Sequence, residues 1–158
     1  MNVQDIVKKR GTSRTDLLQI LHDLQDASGD NSLHRDEIDA LAKEMGIPVS
    51  DIVGTASFYS MFSFEPRGRH IIRLCESPPC YVMGEENVLE AIGKKLGIGF
   101  GETTEDGCFT LEPTSCLGAC GVAPVMMVDN EIYGNLTERK VAQILDTIAS
   151  ADQGAAAD

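Results

Sequence analysis

Two cysteine boxes, Cys75-Glu-Ser-Pro-Pro-Cys80 and Cys116-Leu-Gly-Ala-Cys120, constrain this chain more than any other feature. Four thiols drawn from two distant loops can share one centre only if the intervening segment returns the second loop to the first. That segment is long enough for a helix and a strand. A sulfur-only set favours zinc, copper(I) or iron-sulfur centres over hard cations. Structural zinc usually takes its pairs from short Cys-x2-4-Cys knuckles, and boxes of four and three intervening residues lie at the loose end of that range. Wide boxes suit a two-iron cluster, whose sulfurs surround a rhomb, and Cys-x4-Cys also occurs in plant-type ferredoxins, although those continue at once with Cys-x2-Cys. The spacing predicts that Cys75, Cys80, Cys116 and Cys120 ligate one iron-sulfur cluster, with zinc as the alternative.

The residues inside the boxes fit that expectation. Gly118, Ala119 and Gly121 keep side chains away from an inorganic core and leave N–H groups free to point at sulfur. Pro78 and Pro79 lack an N–H and stiffen the first box, so the two boxes should solvate the centre unequally. Neither box contains histidine, which argues against a Rieske-type centre. A thiol-disulfide enzyme would need Cys-x2-Cys. An odd count of five cysteines, with no secretory signal at Met1-Asn-Val-Gln-Asp-Ile, predicts a reducing, cytoplasmic setting rather than disulfides. Cys108 has no partner at box spacing and reads as a structural or free thiol.

The formal charge of −12 is spread along the chain, which argues against nucleic acid and against anionic membrane surfaces. No apolar run is long enough to span a bilayer.

Residues 1–66 read as an N-terminal helical bundle. Thr12 or Ser13 caps a helix carrying Leu17, Leu18, Ile20, Leu21 and Leu24 and ending at Gly29. A second places Ile38, Leu41, Ala42 and Met45 on one face and ends at Gly46. A third runs from a cap at Ser50 to about Met61. Phe58, Tyr59, Phe62 and Phe64 read first as core, with a docking face as the alternative. Glu65-Pro66-Arg67-Gly68 marks the boundary, and residues 67–150 form the second domain. There Arg69–Cys75 is a strand, Tyr81–Leu96 a helix, and Cys108–Glu112 a strand. Pro124–Tyr133 is a hairpin and Thr137 caps a last helix. Residues 151–158 read as a disordered tail. Gly97-Ile-Gly-Phe-Gly101 follows a helix and lacks the order of a nucleotide loop, so no nicotinamide or flavin site is legible.

With these elements placed, the chain resembles the thioredoxin-like [2Fe-2S] subunit of NADH-linked oxidoreductases. That family comprises the small flavoprotein-associated subunit of complex I and its relatives in NAD-linked or electron-bifurcating hydrogenases and formate dehydrogenases. The anchors are Ala56-Ser-Phe-Tyr59, Phe62, Gly68, the two boxes, Ala123-Pro124 and Tyr133-Gly134. The resemblance implies an α/β fold, a thioredoxin-like [2Fe-2S] ferredoxin domain behind a small helical bundle. It implies that Cys75, Cys80, Cys116 and Cys120 bind one [2Fe-2S] cluster. It also implies a partner subunit holding FMN, the NAD(H) site and a [4Fe-4S] cluster, and a further catalytic subunit. The expected function is single-electron transfer within such a complex, with no catalytic residue on this chain. Glu76-Ser-Pro-Pro79 in place of a Thr-rich first box, and the short stretch after the last helix, lean toward the hydrogenase, formate dehydrogenase or bifurcating branch. The alternatives are complex I, a stand-alone ferredoxin and a zinc-stabilised interaction module.

Overall fold

The computed structural model describes residues 2–155, and side chains within residues 2–152. The chain divides into two compact units, Met1–Arg67 and Gly68–Asp158. Arg67, read from the sequence as part of the second domain, is bound into the first. Its N–H donates to the Asp30 carbonyl at 2.8 Å, and its guanidinium donates to the carbonyls of Asn31 at 2.7 and 2.9 Å and Met61 at 3.3 Å. Gly68 N–H instead donates to Thr110 Oγ1 at 2.6 Å, inside the second unit.

The first unit is helical: α1 (Val3–Arg10), α2 (Leu17–Ala27), α3 (Arg35–Met45) and α4 (Val49–Phe58). Helix α1 was not delineated in the sequence because only Val3, Ile6 and Val7 mark its buried face. It is defined at its ends, by the Asn2 side chain accepting from Gln4 N–H and by Lys8, Lys9 and Arg10 in its last turn. Ser13 caps a single 3-10 turn, Arg14–Asp16, before α2 begins. Ile20, Leu21, Leu24, Leu41 and Ile52 are fully buried, each worth about 1.5–3 kcal/mol relative to exposure. Gln25 is a buried polar residue at this core. Its amide donates to the Met61 carbonyl at 3.0 Å and accepts from Ser63 N–H at 2.9 Å, which satisfies the loop after α4. Helix α4 ends at Phe58, earlier than expected, and its N-cap is Pro48. Of the clustered aromatics, Phe62 is buried whereas Phe58 is 80% exposed, so core packing holds for only part of the cluster.

The second unit carries a four-stranded sheet in the order β2-β1-β3-β4, with β1 (His70–Cys75), β2 (Phe109–Thr114), β3 (Met126–Val128) and β4 (Glu131–Tyr133). β1 and β2 are parallel, and β3 runs antiparallel to both β1 and β4. Helices α5 (Pro78–Val82) and α6 (Glu85–Leu96) connect β1 to β2, and α7 (Glu138–Ala155) follows the hairpin. This is the thioredoxin-like layer. Ile72 and Leu74 of β1, with Leu111, Met126 and Val128, form one core with Val88 and Ile92 of α6 and Val141 and Leu145 of α7. Side chains alternate along a strand, so Arg73 and Cys75 project from the opposite side. There Arg73 pairs with Glu112 at 3.4 Å.

Helix α7 extends to Ala155, five residues into the stretch expected to be a tail. Asp152 secures it, accepting from Arg69 Nε at 2.6 Å. Residues 156–158 of that expected tail lie outside the described residues. Gly68 is required by close approach, since a Cβ there would meet the Phe109 carbonyl carbon at 2.7 Å. Among the described residues no helix is long and apolar enough to cross a membrane.

Candidate metal centre

The site lies beyond the C-terminal end of β1. Cys75 is the last residue of that strand, and its N–H donates to the Val125 carbonyl at 3.2 Å. The first box is a helical turn rather than a stiffened loop. Pro78 occupies the first position of α5, where a missing N–H costs nothing, and Cys80 lies within that helix. The expected helix Tyr81–Leu96 is therefore two, separated by Gly84 at φ +94°. In the second box Cys116 precedes a tight turn at Gly118 (φ +78°), and Cys120 opens a 3-10 turn, Cys120–Val122.

The structure brings the boxes together. Cys75 and Cys80 are buried beside Ala123 and Val125, with Leu117 and Ala119 of the second box packed against them. Cys116 and Cys120 are exposed, and their sulfurs lie 3.8 Å apart. None of the five cysteines is joined to another in a disulfide. Cys108 is buried away from the four, among the residues of the main core, and directs its thiol at Asp152 at 3.7 Å.

Burial alone would push the Cys75 thiol up. N–H groups of Ser77 and Leu117, with the Cys80 thiol and the Ser77 hydroxyl, outweigh it and hold Cys75 below the ordinary thiol value. Cys80 is raised, first by burial and then by its bond and charge interaction with Cys75, against an N–H from Val125. Cys120 is raised, chiefly by its bond to Cys116 and that group's charge, with burial and the charge of Cys75 adding to it. Charge on one sulfur is thus felt across both boxes. Gly118 N–H donates to Cys116 Sγ at 3.4 Å, the role expected of that glycine. The expected poverty of N–H donors in the first box is corrected by Ser77.

Leu117, Val125 and Ser77 act at the site and were not singled out in the sequence, because backbone donors carry no residue-type signature. Glu85 was also missed. It is 5% exposed in the first turn of α6, and burial, with Glu86 and Glu76 nearby, raises its carboxyl. Among the described residues no three His, Cys, Asp or Glu side chains close on the position of a single metal ion.

A thioredoxin-type layer with two cysteine boxes facing each other beyond the end of β1 defines a class, the α/β redox domain built to carry a sulfur-bound centre. The chain belongs to the thioredoxin-like [2Fe-2S] ferredoxin family, whose description matches residues 3–149. The cofactor of that family is a [2Fe-2S] cluster. Relatives include a NADH-quinone oxidoreductase subunit from Pseudomonas aeruginosa, 49% identical over 109 residues. That match covers 69% of this chain and 66% of the relative, just under two thirds of its length. A second NADH-quinone oxidoreductase subunit, from Buchnera aphidicola, is 37% identical over 93% of this chain and 85% of its own length. The NADP-reducing hydrogenase subunit HndA of Solidesulfovibrio fructosivorans is 33% identical over 82% of this chain and 74% of its own. The solved structure of an air-oxidised NAD+-reducing [NiFe]-hydrogenase superposes with a TM-score of 0.77 at 21% identity, covering 90% of this chain and 24% of that one, and bears on the fold alone.

Proposed function

We propose that this protein is an electron-transfer subunit of an NAD(H)-linked oxidoreductase complex, with Cys75, Cys80, Cys116 and Cys120 as the ligands of its [2Fe-2S] cluster. The observation that carries the reading is the meeting of the two boxes, Leu117 and Ala119 of one packed against the buried Cys75 and Cys80 of the other. Two thiolates sharing a tetrahedral ion at about 2.3 Å lie roughly 3.8 Å apart. The Cys116–Cys120 separation of 3.8 Å fits one ion for that pair. Cys75 and Cys80, buried together in one cluster and raising or lowering each other's thiol, make a second pair. Two pairs suit two irons better than one zinc.

The cluster, when bound, supplies a site that gains and loses one electron at a time. The residues of this chain do no acid-base chemistry on a substrate. Their work is to tune that site: N–H groups aimed at Cys75, Cys80 and Cys116 stabilise negative charge on sulfur, and burial of the first box opposes it. The partner in this reading is a flavoprotein subunit that holds FMN, NAD(H) and further iron-sulfur clusters and divides the hydride pair, alongside a further catalytic subunit. The setting is cytoplasmic.

For the parent complex, the 49% identity to a NADH-quinone oxidoreductase subunit supports the quinone-linked assembly, and the 33% identity to HndA supports a hydrogenase. The first-box sequence Glu76-Ser-Pro-Pro79 leans to the latter. Anaerobic purification with iron and acid-labile sulfide analysis tests the centre, and mass spectrometry of the native complex tests the parent. The expectation is two irons and two sulfides per chain, with visible absorption bleached by dithionite. A colourless protein carrying zinc, or no metal after anaerobic preparation, overturns the reading.

A further inference from the structure

Helix α4 is apolar, yet it buries only Ile52 and Ala56. Its sole charged residue, Asp51, is occupied by Arg14 at 2.6 Å. Val49 and Val53, one turn apart, stay 36% and 38% exposed, and Phe64, beyond the helix, is 43% exposed. These three side chains wall a groove of about 320 Å³ that also includes the buried Leu33 and Ile38 and has Arg35 as its one charged residue. Arg35 is exposed and makes no ion pair or side-chain hydrogen bond among the described residues. As the first residue of α3 it sits at the positive end of the helix dipole, where a cation gains from an outside carboxylate.

We propose that this groove is a docking site for a segment of a partner polypeptide that seats one or two large apolar side chains between Val49, Val53 and Phe64 and places a carboxylate on Arg35. Charge selects this occupant. A second copy would bring a formal charge of −12 against another −12, and an anionic lipid surface would meet the same repulsion. An apolar stripe with one acidic residue a helical turn away matches both the walls and the guanidinium. The inference concerns the first unit only and is independent of the cluster.

The test uses the full chain expressed in its native complex, with p-benzoylphenylalanine in place of Phe64 and photolysis before mass spectrometry. The expected cross-link joins one defined peptide of another subunit, in which Asp or Glu lies within a turn of a large apolar residue. Val53→Glu and Arg35→Glu should each reduce that cross-link at least tenfold with the circular dichroism spectrum unchanged, and Arg35→Lys should retain most of it. Reversing the charge of the partner's acidic residue should restore cross-linking to Arg35→Glu. A cross-link confined to this chain or to a second copy overturns the proposal. So does its absence, a peptide without an acidic residue, or insensitivity to Arg35→Glu. Iron content, measured on the same samples, reports separately on the electron-transfer reading.

Discussion

Gly134 lies against Val122 so closely that a Cβ on Gly134 would fall 2.7 Å from both the Val122 Cβ and its carbonyl oxygen. That carbonyl also accepts from Asn135 N–H at 2.5 Å. The end of the hairpin therefore fixes the turn that begins at Cys120. A missing methyl group in one loop sets the position of a sulfur in another.

Gly134→Ala should push the Cys120–Val122 turn outward, at a cost of about 1–3 kcal/mol. Iron per chain should fall while far-ultraviolet circular dichroism stays near wild type. Because the clash is with a side chain as well as backbone, Val122→Ala in the same chain should recover part of the loss. Equal iron in wild type and Gly134→Ala would remove the relationship.

Cysteine replacements should separate the box thiols from the fifth. Cys80→Ser and Cys116→Ser should each lose most of the iron and sulfide. Cys108→Ser should keep both, since its thiol is buried in the main core and faces Asp152. A serine hydroxyl can make that same hydrogen bond, so unfolding should shift by no more than about 1–2 kcal/mol. Iron lost from Cys108→Ser would reassign the ligand set.

The first unit carries a pH-sensitive pair. His34 Nε2 lies 3.1 Å from Asp30 Oδ1, and this hydrogen bond, with the attendant charge, raises the His34 imidazole. Asp30 is lowered: burial opposes its ionisation, and bonds from Ser32, His34 and Ser28 outweigh that. The stabilisation tied to His34 is fully present below the unfolded histidine value near 6.5 and is lost as pH rises through the raised folded value. That tied to Asp30 is present above about 3.9 and is lost as pH falls through the lowered folded value. Denaturant unfolding of the full chain should accordingly weaken as pH rises from below about 6.5 through the raised folded value of His34, by an amount that solvent screening keeps small. His34→Asn should flatten that slope, and an unchanged slope would remove the pair from the account.

Glu76, exposed and next to Cys75, adds negative charge beside a centre that gains an electron. Glu76→Gln should raise the reduction potential, and the difference should shrink as salt is added, because an exposed charge is screened. Protein-film voltammetry at two ionic strengths reads both effects. A potential that stays put or falls would show that this charge does not reach the cluster.

Sequence alone was enough for whatever depends on residue type and short spacing. Paired thiols in boxes, apolar residues at helical intervals in α2, α3 and α7, and the turn at Asp129-Asn130 each signal themselves within a few positions. The layer of strands and helices, and the grouping of four cysteines into two boxes, were legible for that reason. Helix α1 was not, because three apolar residues in eight make a weak period. The division of the expected Tyr81–Leu96 helix between α5 and α6 was not, because Met83-Gly84 breaks a pattern that otherwise runs on.

Tertiary structure alone decided which groups face the sulfurs and which apolar residues remain outside. Leu117 and Val125 reach Cys75 and Cys80 through backbone N–H groups, which every non-proline residue has, so no letter of the sequence marks them. Phe62 is buried and Phe58 is exposed although four positions separate two identical residues, because α4 ends at Phe58 and the chain then turns away from the helical period. Burial and close approach depend on where distant segments pass one another, and that is a property of the folded chain rather than of any stretch of it.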